Sequence, residues 1–479
     1  MARRHTDTPQ RERGDYATPD PTVRYMVQQL VAQLHRKPGI VIDPAAGDGV
    51  FLRALKRVRP KRRSIGFDLH AAPDASNVRS QDFFEYFAEA RGRERVVGVI
   101  GNPPYNCHES AYIRSHKRAL KGMFREIGVL NTYAMFLYAG LDLLADGGVL
   151  CMITMDSFLT ARFHRPLREF ILRHAEIVEI LLAPRRLFHT QRADVRTAII
   201  TLRKTASPRP EHTMRLVDRV RDETEYASPR RVQELPQAAF AALPASRFII
   251  GVPASVRRLF TRAERTVGDA MPGGAGISTG ADAEFLRTGQ QPAGWVPFFK
   301  NPGRERFFRE PDTFITPEWE TLSQQRKTFM VRNRALLLRE GVCCSSMGIA
   351  FSAVLLPKGS LFGVNACLFP TTAGERFFLL GLLNSALATY LVRAVLIRTN
   401  MVTPGYVKQI PYRYDAADAC CREVASLARQ AYRAARRGDA NAVAEIVRAI
   451  DSLVLGLYDI PEPDRAVVSR FAAELFEAL

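Results

Sequence analysis

Between Gly39 and Leu202, short apolar runs alternate with longer stretches in which apolar residues return at every third or fourth position. The runs Ile40-Val41-Ile42, Ser64-Ile65-Gly66-Phe67, Val96-Val97-Gly98-Val99-Ile100, Val149-Leu150-Cys151-Met152-Ile153, Ile177–Leu182 and Thr197–Leu202 have the length of buried strands. Ala134, Leu137, Leu141 and Leu144 keep a helical period between two of them. This alternation predicts an α/β fold with a doubly wound, Rossmann-like and mostly parallel sheet. Upstream, Thr18-Pro19 stands before Val23, Met26, Val27, Leu30, Val31 and Leu34, which predicts a helix over 19–35 with Thr18 as its cap.

The changes of pattern predict five segments. Residues 1–15 are polar, rich in arginine and without period, as expected of a basic arm. Residues 16–225 form the α/β domain and 226–250 a linker, with a strand or two passing through the stretch from about 205 to 250. Residues 251–412 mix strand-like and glycine-bearing segments with a helix around Phe377–Val395, which predicts an α+β domain. Residues 413–479 are a helical segment with Ile446, Val447, Ile450, Leu453, Val454 and Leu457 on one stripe.

Charge adds a partner to this picture. The 479 residues carry 68 Lys+Arg against 49 Asp+Glu, a formal net charge of +19, which favours a polyanion such as nucleic acid. Only ten of the basic residues are lysines, and arginine suits bidentate phosphate and guanine contacts, although genome base composition also raises arginine. The seven cysteines include two adjacent pairs but no Cys-x-x-Cys, so neither a metal site nor a disulfide framework is expected. No apolar run approaches the ~20 residues of a membrane span, and the start Met-Ala-Arg-Arg lacks a signal stretch, so a cytoplasmic location is expected.

Two short segments carry candidate chemistry. Asp43-Pro44-Ala45-Ala46-Gly47-Asp48-Gly49 joins the first strand to a helix, with Gly47 and Gly49 permitting a tight turn and a close ligand. Asp68 follows Gly47 by 21 positions at the end of the next strand, where a carboxylate can accept both ribose hydroxyls. Asp48 beside the loop disfavours a pyrophosphate. A cationic nucleoside cofactor fits better, and S-adenosylmethionine is one, its ammonium meeting Asp43 and its adenine meeting Asp82 and Phe83. A plain strand-to-helix turn is the other reading of the loop.

Asn102-Pro103-Pro104-Tyr105 ends the strand Val96–Ile100, where open α/β sheets hold their ligands. The Asn102 amide oxygen and the Pro103 carbonyl can accept the two N–H bonds of an amino group and free its lone pair, and Tyr105 offers a ring for a flipped base. A proline turn closing a strand is the alternative.

Together, Tyr16-Ala17-Thr18-Pro19, Asp43–Gly49 and Asn102–Tyr105 resemble the gamma group of N6-adenine DNA methyltransferases. Asn131-Thr132-Tyr133, Leu187-Phe188 before Val195–Ile200, Gly276–Asp282, Leu382-Leu383-Asn384-Ser385 and Ile450–Val454 extend the likeness. The resemblance implies a methyltransferase domain, S-adenosylmethionine as cofactor and a C-terminal target-recognition domain. It implies Asn102, Pro103, Tyr105 and Phe188 as catalytic residues, with Phe188 opposite Tyr105 across the base. Tyr16, Thr18, Asp43, Ala45, Gly47, Gly49, Asp68, Asp82, Phe83 and Asn102 would hold the cofactor. Phe188 also reads as a core aromatic.

The expected partner is double-stranded DNA, read by a monomer within a restriction-modification or phage-defence system that includes a separate endonuclease or other subunits. Arg304 and Arg306, in Lys300–Arg306, are candidate DNA contacts, or else part of a solvated loop. RNA and protein-glutamine methyltransferases share the tetrapeptide, but about 270 residues after the core exceed a bare catalytic domain. A fused nuclease is not expected, since no lysine has Asp or Glu two positions before it and only fifteen residues precede Tyr16. A non-catalytic DNA-binding subunit is the remaining alternative.

Overall fold

The computed structural model describes residues 16–34, 38–71, 77–90, 92–105, 110–189, 195–348, 350–397 and 401–477. The expected basic arm, 1–15, lies outside the described residues. The chain divides into two compact units, Met1–Gly251 and Val252–Leu479.

The first unit begins with α1 (Asp20–Gln33), whose apolar face buries Val23, Met26, Val27 and Leu30. Pro19, not Thr18, takes the cap position, and no side chain caps this end. Then follow β1 (Ile40–Asp43), α2 (Val50–Val58), β2 (Ser64–Asp68), β3 (Val78–Ser80), α3 (Phe83–Ala90) and β4 (Val96–Gly101). The unit continues with α4 (Thr132–Leu143), β5 (Leu144–Met155), α5 (Arg165–His174), β6 (Ala175–Leu182), β7 (Thr197–Lys204), β8 (Thr213–Val217) and β9 (Val232–Pro236).

All nine strands form one sheet in the order β3-β2-β1-β4-β5-β7-β6-β8-β9. β3 through β5 are parallel, and β7 inserts antiparallel to both β5 and β6. Residues of β1 and β4 are buried throughout, as befits strands covered on both faces. The strand order reverses between β1 and β4. Open α/β sheets bind ligands outside the carboxyl ends of the strands at such a point, and here those ends are Asp43 and Asn102.

The expected linker at 226–250 is part of this unit. β9 pairs along its length with β8, and the fully buried Arg168 of α5 donates to the carbonyls of Ala245 and Ser246. An edge strand without an apolar stripe and a polar tether both look like a linker in sequence.

The second unit contains two four-stranded sheets of short strands, one including Gly341–Cys344 and Ala353–Leu356, the other Val296–Phe299 and Thr313–Ile315. The helix expected around Phe377–Val395 is two helices, α6 (Ala373–Leu383) and α7 (Ala386–Tyr390), continued by a π turn over Leu391–Leu396. Asn384 and Ser385 cause the break. Asn384 exchanges hydrogen bonds with the Ala353 main chain, and the Ser385 hydroxyl accepts from Ala388 N as an N-cap. The expected boundary at 412/413 is absent, because α8 (Ala419–Arg436), α9 (Ala440–Leu457) and α10 (Glu462–Glu477) belong to the same unit, α8 packing on α6. No single described helix is long and apolar enough to cross a membrane.

Candidate functional site

The loop after β1 is shaped by its glycines. Gly47 and Gly49 adopt φ of +52° and +78°, left-handed values that admit side chains only with strain. A methyl group added to Gly47 would meet no atom within 4 Å, so the loop is open above it. Gly47 N donates to Asp68 Oδ2 at 3.0 Å and Ala46 N to the Phe67 carbonyl at 2.9 Å, which fastens the loop to the end of β2. The other Asp68 oxygen accepts from His70 N at 2.8 Å. Asp68 is half-buried, its carboxylate at the rim of the open space.

Asp43 differs in kind. It is fully buried, Oδ1 accepts from Ala45 N at 3.2 Å, and Oδ2 is buried without a hydrogen-bond partner among the described residues. Burial, joined by the charges of Asp68 and Asp48, pushes its pKa up to about 8. An orphaned buried carboxylate oxygen beside an open glycine loop suits a ligand cation, and Asp68 at the rim suits hydroxyl groups. The residues therefore fit a nucleoside carrying an ammonium group. Asp48 contributes less than its position in sequence implies, because it is exposed and pairs with Arg53 at 3.4 Å.

Asp82 and Phe83 are more committed than expected. The Asp82 oxygens accept from Phe84 N at 2.8 Å and the Tyr112 hydroxyl at 2.6 Å. Phe83 is buried and stacks on Phe136 at 5.4 Å, so it presents no free face to an adenine ring. Its place is in the core.

Asn102 follows β4, and its amide orientation is fixed on the nitrogen side. Nδ2 donates to the Tyr16 carbonyl at 2.8 Å and to Thr18 Oγ1 at 3.1 Å. A main-chain carbonyl cannot donate, so turning the amide over would set two oxygens against each other. Oδ1 consequently faces the Tyr105 hydroxyl, which donates to it at 2.6 Å. The Thr132 hydroxyl donates to the Pro104 carbonyl at 2.7 Å and holds the proline turn from the start of α4. The Pro103 carbonyl receives no hydrogen bond from the described residues.

Tyr16, Tyr105 and Phe188 form one aromatic cluster. Tyr16 lies 5.8 Å from each of the others, and Tyr105 meets Phe188 edge-on at 6.2 Å. A base held between two parallel rings needs about 7 Å between them, twice an ordinary carbon contact. The two expected partners are thus adjacent without an open slot, and Phe188 is fully buried. Burial pushes the Tyr105 hydroxyl well above its usual pKa, so it stays a proton donor.

Several links lie beyond the reach of a sequence. Thr18 is separated from Asn102 by 84 positions and Thr132 from Pro104 by 28, and no periodicity reports such contacts. Of the expected DNA contacts, in the second unit, Arg304 is exposed. Arg306 is not: its guanidinium lies 3.7 Å over Phe476, and burial lowers its pKa to about 10.

Comparison with known proteins agrees with this geometry. Residues 67–188 match the family described as Eco57I restriction-modification methylase. The matched stretch contains Asp68, Asp82, Asn102–Tyr105 and Phe188, so the resemblance read from the motifs holds there. The chain is also 31% identical over 176 residues to the Type II methyltransferase M.TthHB8I of Thermus thermophilus. That alignment covers 34% of this chain and 39% of the relative, so the chain spans well under half of its length. Among solved structures, the type IIL restriction-modification enzyme MmeI in complex with DNA has a TM-score of 0.60 at 10% identity, covering 95% of this chain and 75% of that one. The DrdV–DNA complex has 0.57 at 12% identity, covering 88% and 57%. At such identities the likeness establishes the fold, the α/β architecture expected from the apolar pattern.

Proposed function

We propose that the chain is a modification enzyme of a restriction-modification system, binding S-adenosylmethionine at the β1/β4 switch point and methylating N6 of an adenine turned out of duplex DNA. The observation that carries this reading is the Asn102 amide, whose nitrogen is held by Tyr16 and Thr18 so that its oxygen is presented as an acceptor. The family match over 67–188 and the DNA-bound proteins of the same fold support DNA as the substrate.

Adenine N6 is a poor nucleophile because its lone pair is delocalised into the ring. Asn102 Oδ1 and the Pro103 carbonyl accept its two N–H bonds and favour a localised pair, an effect that grows as charge develops on the nitrogen. The proline turn and the Thr132 clamp keep these acceptors in place. The Tyr105 ring swings from its edge-on packing to stack on the base, and its hydroxyl gives up Asn102 Oδ1 as it goes. Bound S-adenosylmethionine supplies an electrophilic methyl group on a positively charged sulfur. Asp43 takes its ammonium, Asp68 its ribose hydroxyls, and the Gly47–Gly49 turn leaves room for both. The chain acts as a monomer, with cleavage left to a separate subunit.

The test is transfer of tritiated methyl groups to duplex DNA by the purified chain. Asn102→Ala is expected to lower turnover by about 10²–10³, the usual effect of removing one group that stabilises developing charge, with cofactor affinity preserved. Near-normal turnover in the variant would reduce Asn102 to a turn residue. Label in RNA or protein but not in DNA would overturn the substrate.

A further inference from the structure

The helix α8 carries more charge than its own stability or the catalytic site explains. Its buried face, Cys421, Val424, Ala425, Ala428, Ala431 and Ala434, packs inward. The opposite face holds Arg422, Arg429, Arg433 and Arg436, all exposed. Their spacings of seven, four and three place them within a sector of about 60°, and at ~1.5 Å per residue they extend over about 21 Å. The helix has a single acidic residue, Glu423, away from that stripe. Arg429, Arg433 and Arg436 form no ion pair with the described residues.

Like charges at three- and four-residue spacing weaken a helix, and the helix dipole favours Arg433 and Arg436 in the last turn but gives nothing to Arg422 and Arg429. Arg429 lies 4.7 Å over Phe377, and Tyr432 packs against Phe377 at 6.2 Å and Phe308 at 5.6 Å. Phe308 comes from the segment bearing the exposed Arg304. The result is a line of unneutralised guanidinium groups, stiffened by aromatic packing at its middle.

We infer that the exposed α8 face binds the phosphate backbone of duplex DNA, as a sequence-independent contact of the second unit. This rests on the reading of DNA as substrate. A straight row of arginines with no carboxylates among them matches a regular line of phosphates, and each contact releases condensed counterions. The face reads no bases, so it adds affinity without selecting the target.

The experiment measures binding of the full chain to a duplex as a function of salt. Arg429→Ala, Arg433→Ala and Arg436→Ala together are expected to reduce the slope of log affinity against log salt by about three, near ~0.9 per lost phosphate contact. The same three positions as lysine should keep most of that slope, since phosphate neutralisation needs charge more than shape. A control with equal charge loss in the first unit, Lys56→Ala, Arg57→Ala and Lys61→Ala, should change it less. An alanine variant with the slope of the wild type, or of the control, overturns the stripe while DNA methylation by the wild type stands. Loss of binding to RNA or anionic vesicles with duplex binding intact overturns the partner. A wild type that binds no duplex overturns both this inference and the reading beneath it.

Discussion

Asp43 combines full burial with the place proposed for the cofactor's ammonium group. A carboxyl group with a pKa of about 8 is mostly protonated at pH 7, whereas an ammonium against its orphaned Oδ2 would hold it ionised. Binding of S-adenosylmethionine at pH 7 is therefore expected to expel close to one proton, an effect that fades above about pH 8. Calorimetry in buffers of different ionisation heat measures this, and Asp43→Asn should release none. The same shift contributes a pH-dependent part to the stability of the unliganded chain. The folded state holds this proton and the unfolded state does not between pH 3.8 and about 8, so stability declines as pH rises through that window. Thr18 makes a second case. Thr18→Val keeps its shape but removes one acceptor from Asn102 Nδ2, and turnover should fall about tenfold, the worth of one hydrogen bond, with the KM for DNA little changed. Thr18→Ser should restore it, which a loss of packing would not allow. In sequence Thr18 reads as a helix cap, because capping is a local pattern while its actual partner is distant.

At the scale of elements, the central strands were legible because burial on both faces leaves continuous apolar runs, as in Val96–Ile100 and Val149–Ile153. β9 was less distinct, expected only as a strand or two within a linker, because its alternating exposure and its Gln233 and Glu234 give it no apolar run beside its pairing with β8. Phe83 and Phe188 show the corresponding limit for side chains, since an aromatic residue that packs in the core has the same letter as one that stacks on a ligand. The close approach of β1 and β4 supplies a prediction of its own. A methyl group on Gly101 would lie 2.7 Å from Asp43 Oδ1 and 3.3 Å from Pro44. Gly101→Ala is expected to destabilise the first unit by about 1–3 kcal/mol and to weaken cofactor binding by displacing Asp43. A thermal melt paired with a cofactor titration checks it; an unshifted melt with unchanged affinity would mean that the strand ends yield freely.

For the whole molecule, burial removes charges of both signs among the described residues, Arg168, Arg247 and Arg257 against Asp43, Asp156, Glu176 and Glu179, and so leaves the basic excess of the sequence in place. Arg168 and Arg247 are fully buried and donate to main-chain carbonyls, using the guanidinium fork as internal scaffolding. The basic excess is what a polyanion meets. The candidate motifs stand out in sequence because the loop, the acidic residues and the tetrapeptide sit at strand ends in a fixed order, whereas the second unit has short strands whose pairing no periodicity reveals. The central claim is methylation of adenine N6 by an acceptor pair at Asn102 and Pro103. Its most direct test is mass spectrometry of nucleosides from duplex DNA treated with S-adenosylmethionine and either the wild-type chain or Asn102→Ala. The account expects N6-methyladenine with the wild type and about 10²–10³-fold less in the same reaction time with the variant, at equal cofactor affinity. Methylated cytosine in its place, or N6-methyladenine at equal levels from both proteins, would contradict it.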